Sequence, residues 1–527
     1  MKRDKIIFVL IVILAAILRF YQLDVRVFHH DESAVGSITY KLFKDGTYTY
    51  NPAFHGPFLY YLTAFMFNLF GDSDFTARLM PAIFGVALIL LLYPLREYLG
   101  KGYIIASAFL AISPSFLYYS RFFRNDIFVA FFTLAVVVCI LKYFSKKNNK
   151  TRFIYLFFGA AALGLSASAK ENTYVTLAIF VSFLFLFYII LYLYKIYIKY
   201  RIVYINIKRT LIDIPFFILI FFIVFAMFYT NFFADITNLF SVIKSSFGHW
   251  WEMHKIERIG GPFYFYIPLI VLYELPILIF GIFGGVYYLR KTKIKDMLLG
   301  NRSVDLVGAF HLFLIYWSLM SFIAYSYIQE KVPWLVLHIL LPLTLLAGMY
   351  LGDLIPNLKH GNIKIEVIVA TILIISSSFF IYTSIRFNYY DYANAAEPLI
   401  QAAQPPQKFK SLIEKIEEVS SQYRGKYTEI QEVDKELDTQ FLWYLRHYKN
   451  IQWHVDINST LDAPIIVVHD TDAKKVESKL HTDYNRLDSA RMAWYWYKPS
   501  DITLNFILFR IMDRKPSEYG VVMFYKQ

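Results

Sequence analysis

Two hydrophilic clusters interrupt an otherwise apolar amino-terminal region, and their side chains are of the kinds that move protons. The first is His29-His30-Asp31-Glu32-Ser33; the second is Asn51-Pro52-Ala53-Phe54-His55-Gly56-Pro57-Phe58-Leu59-Tyr60-Tyr61. An ionised carboxylate in such a setting serves as a general base toward an acceptor hydroxyl, or as a ligand to a hard cation. Asp31 or Ser33 can also cap a helix whose apolar face is Ala34, Val35, Ile38 and Leu42. The partial positive charge at that helix N-terminus favours the ionised forms of Asp31 and Glu32. Capping alone accounts for one acid. The adjacent pair, with three histidines in the same loop, points to a reaction centre.

The elements that must position these residues are apolar runs. The chain has 527 residues, 57% of them hydrophobic, and uncharged stretches of roughly 18 residues or more, long enough to cross a bilayer as helices, recur along it. Spans are expected near 5–22, 75–99, 103–119, 125–144, 152–169, 172–194, 212–233, 264–289, 305–327, 333–352 and 364–385. The segment 57–70, at about 14 residues, is under spanning length and reads as an interfacial helix. So does the stretch 30–45, amphipathic and next to the membrane. The amino-terminal run reads as a retained signal-anchor, since Arg19 ends it without a small-residue cleavage site.

The net charge of +13 would suggest a nucleic-acid partner in a soluble protein. Here it reads as topology, because cations gather in alternate loops: Arg96 and Lys101; Lys142 to Arg152; Lys195 and Lys199; Lys293 and Lys295; Lys359. That pattern puts the N-terminus in the cytoplasm of a multi-pass plasma-membrane protein with no nucleic-acid partner. His29–Glu32, His55, Arg121–Asp126, Lys170-Glu171, Trp250-Trp251 and Tyr327–Trp334 then share the outer face. The single cysteine, Cys139, lies in an apolar run, which excludes a disulfide framework and a thiolate metal site.

The composition changes after about 387. Residues 388–407 are polar, with Pro398, Pro405 and Pro406, and read as a linker. Residues 408–527 combine an amphipathic stretch at 408–422 with β-rich runs at 428–433, 463–468 and 519–525. The expected architecture is an all-α polytopic membrane bundle over 1–387 with about eleven transmembrane helices. A small C-terminal α/β extracytoplasmic domain follows it.

As an ordered set, these pieces resemble the membrane-embedded C-type (GT-C) glycosyltransferases, including protein O-mannosyltransferases and lipid A aminoarabinose transferases. The matching residues are Asp31-Glu32, Gly46-Thr47-Tyr48, His55 to Tyr61, Thr76-Ala77-Arg78-Leu79-Met80-Pro81, Ser113-Pro114, Arg121 with Asp126, and Gly164-Leu165 with Lys170. A histidine before the acidic pair, and Lys331-Val332-Pro333-Trp334 opening a late span, resemble the archaeal and bacterial flippase-activity-associated subgroup. The resemblance implies an inverting transferase that takes a sugar from a polyprenyl-phosphate donor, with Asp31 or Glu32 as base. It also implies that Asp126 supports the site or holds a metal.

A departing phosphate needs cations, and Arg121, Arg124, Lys170, Arg258 and Lys331 are the candidates. Each taken singly is an ordinary interfacial residue; together they form an anion-attracting rim. His30, His55, Asp126, Glu171, Tyr60 and Trp334 are the expected supporting residues. His30, Asp31, His55 and Asp126 offer donors for a divalent metal ion, although no fixed ligand spacing declares one.

Trp250-Trp251-Glu252 lies in the membrane part rather than in the soluble domain, where oligosaccharyltransferases carry Trp-Trp-Asp-Tyr-Gly. Asparagine-linked transfer is therefore rejected, and the two tryptophans read as interfacial anchors. Tyr118, Tyr119, Tyr325 and Tyr327 read as belt aromatics. The acceptor, whether glycan, lipid or protein, is left open. The rival readings are a non-catalytic flippase for a lipid-linked sugar, which needs no base, and a secondary transporter. The transporter predicts repeated halves and mid-membrane charges that the sequence lacks.

Overall fold

The computed structural model describes residues 2–193, 201–255, 260–292, 305–358, 363–400, 404–433, 437–481, 483–494, 496–514 and 517–526. Arg258 and the loop cations Lys195, Lys199, Lys293, Lys295 and Lys359 lie outside them. The chain divides into two compact units, 1–21 with 47–62 and 79–385, and 22–46 with 63–78 and 386–527.

The first unit is a helical bundle. Among the described residues, eight helices are long and apolar enough to cross a membrane: 74–99, 126–145, 149–169, 172–190, 211–229, 306–327, 333–356 and 367–390. A ninth exists if 266–273 and 275–291, bent by 109° at Glu274, count as one span. Two expected spans differ. The helix Lys2–Phe20 forms, but its charged first turn and Arg19 set it apart from the apolar spans. The run 103–119 breaks at Ser113 into Gly102–Ile112 and Pro114–Tyr119.

That break is stabilised from both sides. Pro114 has no N–H for the Leu110 carbonyl, and the Ser115 N–H is taken by Glu274 Oε1 at 2.9 Å, which frees Ala111 as well. Arg19, fully buried, fills both vacancies, donating to Leu110 O at 2.9 Å and to Ala111 O at 3.2 Å. In hydrocarbon such carbonyls must be satisfied internally, and an arginine fork does so for two at once.

The helices 126–145 and 333–356 are the most enclosed of the spans, 78% and 89% buried. The first is apolar on all sides between Asp126 and Lys142 rather than along one stripe, as a buried helix must be. Gly348 and Gly352 let the latter cross Gly102 with backbones in contact, the close approach small residues permit between membrane helices.

The second unit is built on a five-stranded sheet of β1 (Ile430–Glu432), β2 (Ile451–Gln452), β3 (Ile465–His469), β4 (Tyr484–Trp494) and β5 (Ser517–Lys526), in the order β2-β1-β3-β5-β4. β1 runs parallel to β2 and β3, and β5 antiparallel to β3 and β4. Ile465 and Val467 point to one core and Ile466 and Val468 to another, as strand alternation requires. The helix Phe409–Gln422 buries Phe409, Leu412, Ile416 and Val419 on the first face.

The first-loop segments belong to this unit. Val27 is buried in the same cluster, Phe28 stacks on Trp443 at 4.9 Å, and Trp443 Nε1 donates to Asp74 at 2.8 Å. Tyr444 and Arg446 add bonds to Asp74 and Asp72 at 3.1 and 2.7 Å. The expected linker, 388–407, and the expected domain, 408–527, thus share a unit with the acidic loop.

Candidate active site

The acidic pair opens the helix His30–Asp45 in the second unit. Its cap is neither Asp31 nor Ser33, as expected, but His29. His29 Nδ1 accepts the Asp31 N–H at 3.1 Å, while Glu32 Oε2 accepts the His29 N–H at 3.0 Å. This reciprocal box uses an imidazole where serine or threonine usually stands. It fixes which acid faces in. Glu32 is fully buried, Asp31 half-buried.

Glu32 meets a two-pronged Arg78, with Nε on Oε1 and Nη2 on Oε2, both at 2.8 Å. Arg26 Nη2 lies 3.0 Å from each of the same oxygens. Arg78 also donates to the carbonyls of Leu23 and Arg26 and lies over the Phe28 ring. A carboxylate offers about four lone-pair directions, and these donors occupy both oxygens of Glu32. The helix buries Glu32, Ser33, Val35, Gly36, Thr39 and Leu42, so its inner face is shifted from the expected Ala34–Val35–Ile38–Leu42 stripe. Gly36 is the reason: Trp443 packs against it so closely that a Cβ would come within 2.7 Å of the indole. His30, the first helical residue, is half-buried.

The first unit carries a second polar cluster, arranged around the turn Lys170-Glu171 between the helices Asn149–Ala169 and Asn172–Leu193. Lys170 is extended (φ −160°, ψ 145°), so successive side chains diverge. Lys170 Nζ lies 2.8 and 3.0 Å from the two oxygens of Asp126, which opens the helix Asp126–Ser145. His338 Nε2 approaches Asp126 at 3.5 Å and the Asn172 amide at 2.6 Å. On the other side, Glu171 meets His55 Nδ1 at 3.0 Å and accepts from the Tyr50 hydroxyl at 3.3 Å. Arg124 Nη2 comes to 3.5 Å from His55 Nε2, and its guanidinium lies 4.9 Å from the Trp334 ring centre. Lys170 stands 5.9 Å over the same ring.

The second cluster of the sequence supplies the scaffold. Asn51 caps the short turn Pro52–Phe54, Tyr60 donates to Phe54 O at 2.7 Å, and His55 follows with φ 66°. The Gly56 N–H bonds to Ala169 O at 3.2 Å. A Cβ at Gly56 would strike the Ser168 carbonyl, so only glycine brings His55 this close to Glu171. Burial, aided by the Lys170 charge, pushes the His55 imidazolium below its ordinary value of 6.5, so the ring is neutral at pH 7. Burial likewise lowers the Lys170 ammonium against the pull of Asp126. Burial and the Glu171 charge raise the Tyr50 phenol, which stays protonated as a donor.

Several expectations change. Arg121 Nη1 donates to Leu18 O at 2.8 Å and Tyr21 O at 2.6 Å, capping the first helix rather than standing open to an anion. Lys331 is buried and donates to Ile328 O at 3.1 Å. Trp250 stacks on His55, centroids 5.2 Å apart and 8° between planes, while Trp251 is exposed. Tyr118, Tyr119 and Tyr325 are buried, with Tyr325 on His338; Tyr327 alone of the four is exposed.

Among the described residues no three His, Cys, Asp or Glu side chains are arranged to hold a metal. Of the expected donors, Asp126 holds the Lys170 ammonium and His55 Nδ1 meets Glu171. His338, Asn172 and Tyr50 escaped sequence reasoning. The one signal for His338 was a lone ionisable residue inside the apolar run 335–346, which in a membrane span is rarely idle.

A bundle of apolar helices, two of them broken at Ser113 and Glu274, plus a small α/β unit that takes in the first loop, is the fold of the GT-C membrane glycosyltransferases. Residues 54–233 match the family described as dolichyl-phosphate-mannose-protein mannosyltransferase. Among solved structures, ArnT of Cupriavidus metallidurans bound to undecaprenyl phosphate is similar over 98% of this chain and 97% of that one, with TM-score 0.59 and 16% identity. The Archaeoglobus fulgidus oligosaccharyltransferase, in a complex with zinc and sulfate, is similar over 88% of this chain and 67% of that one, with TM-score 0.54 and 14% identity. No curated protein matches the sequence.

Proposed function

We propose that the protein is an integral membrane glycosyltransferase. It takes a sugar from a polyprenyl-phosphate carrier and passes it, with inversion, to an acceptor hydroxyl at the outer face. Asp31 removes the acceptor proton, the freed oxygen bonds to the anomeric carbon, and the bond from that carbon to the phosphate oxygen breaks. Asp31 takes the base role because the oxygens of Glu32 are already spent on Arg78 and Arg26.

The leaving polyprenyl phosphate regains a negative charge that cations must meet. Lys170 has three N–H donors, directs two at Asp126 and leaves one for a phosphate oxygen. Arg124, whose guanidinium lies 4.9 Å from the Trp334 ring centre, is the second cation proposed for the phosphate. Lys331 and Arg258 complete the proposed rim. The supporting observation is this buried Asp126–Lys170 and Glu171–His55 assembly, in a fold shared with a protein whose crystal structure holds undecaprenyl phosphate.

The test is single-turnover transfer by the full-length protein in lipid nanodiscs. Asp31→Asn should slow transfer by about 10²–10⁴-fold, the usual weight of a general base, with undecaprenyl phosphate binding retained. Undiminished turnover in that variant would sink the proposal. A flippase with no chemistry predicts that outcome.

A further inference from the structure

The second unit holds an open groove of about 410 Å³ that none of the roles above uses. Ser37, Tyr40 and Lys41 of the helix His30–Asp45 form one wall; Arg446, Lys449 and Trp453 form the other. Tyr40 and Trp453 are half-buried, and the Tyr40 ring has Lys44 Nζ at 5.5 Å and His447 edge-on at 5.6 Å. The cations differ in kind. Arg446 is spent, its Nε on Asp72 at 2.7 Å and its guanidinium 3.7 Å from the Trp443 ring centre. Lys41 and Lys449 are exposed and have no acidic partner among the described residues. Elsewhere in the unit lysines do find acids, Lys426 with Glu417 at 2.8 Å and Lys415 with Glu418 at 2.6 Å. Two unpaired ammoniums and two half-buried aromatic rings therefore line one groove.

That combination suits one ligand chemistry. Aromatic faces pack against the C–H faces of pyranose rings, and ammoniums take up carboxylate or phosphate groups as point charges. Ile38, also in the groove, lies seven residues after Asp31 on the same stripe of the helix. Seven residues advance about 10 Å at the α-helical rise, a reach a short saccharide covers.

We infer that this groove is an acceptor subsite for an acidic saccharide, a sugar chain bearing carboxylate or phosphate groups. The inference rests on the glycosyltransferase reading and extends it to the acceptor class. A chain held by Lys41 and Lys449 extends along the helix toward Asp31 and offers its terminal hydroxyl there.

The experiment is calorimetric titration of the full-length protein in nanodiscs with oligogalacturonate, mannose 6-phosphate and, as a neutral control, maltohexaose. Wild-type protein should bind an acidic probe and not maltohexaose, and the stronger of the two acidic probes identifies carboxylate or phosphate as the recognised group. Binding should weaken as salt is raised, because exposed ammoniums are screened. Lys41→Glu with Lys449→Glu should weaken acidic-probe binding by about tenfold or more, while donor hydrolysis without acceptor stays unchanged. Equal binding of maltohexaose, or unchanged affinity in the double variant, overturns the inference and leaves the transferase reading intact. Absence of sugar transfer with charge-dependent binding intact overturns the transferase reading instead and leaves the groove an acidic-saccharide site.

Discussion

The two units each bury a carboxylate among cations, and they do so in opposite ways. Around Glu32 the partners are two arginines, whose guanidiniums stay charged at any accessible pH and bind in fixed forks. Around Asp126 and Glu171 the partners are a lysine and histidines, backed by Trp334, Trp250 and Tyr325. Burial lowers the pKa of Lys170 and of His55. The first arrangement is a clamp, since no proton can leave it. The second keeps protons within reach of exchange and leaves an ammonium N–H unspent. Burial of charge alone therefore does not distinguish the two clusters; the partner's chemistry does.

The comparison breaks most visibly at Arg78. Arg78→Met removes two of the donors to Glu32 and leaves Arg26 and the His29 N–H, and losing one partner of a buried pair costs about 3–5 kcal/mol. The expected readout is loss of folded protein, or a large fall in Tm, in detergent. Adding Glu32→Met should recover much of it. A silent Arg78→Met would show that Glu32 is not the clamp described.

Lys170→Met should act the other way, on turnover more than on folding. Transfer should fall by about 10²–10³-fold, as when one donor to a developing anion is removed, with a weaker affinity for undecaprenyl phosphate. A variant with normal kinetics would move the phosphate to another cation.

The pH dependence sharpens the same contrast. The folded pKa of His55 lies below 6.5, so below about pH 6.5 the unfolded chain binds more protons than the folded one. The stability due to neutral His55 is complete above that pH and is lost as pH falls through 6.5 toward the lowered value. His55→Gln should flatten this acid limb in thermal unfolding, whereas the Arg78 guanidinium stays charged throughout it. An unchanged limb would mean that another group titrates.

The smallest effect is expected at the cap. His29→Ala removes one acceptor for the Asp31 N–H, worth about 1 kcal/mol, and His29→Asn should restore it. Differential scanning fluorimetry at neutral pH measures both.

Parts of this were legible in the chain and parts were not. The apolar runs, the β-rich segments near 430, 465 and 520, and the amphipathic 409–422 helix follow from local periodicity. Asp126, Lys170, Glu171, His55, Arg124 and Trp334 stood out as polar or aromatic residues at span ends, and the structure brings them together within one unit. Glu32 and Arg78 belonged to separate motifs, and nothing between them declares that they pair. Arg19 read as the end of an apolar run, although its role is to fill the carbonyls that Pro114 frees in another helix.

The sequence alone determined the membrane class, the β-rich tail and the residue types available for chemistry, because those depend on hydrophobicity and spacing along a few turns of chain. Tertiary structure decided which acid is clamped, which lysine keeps a donor, which helices break, and that the first loop folds with the C-terminal sheet. Those outcomes depend on partners far apart in sequence, where an arginine fork or a missing Cβ selects one neighbour among many.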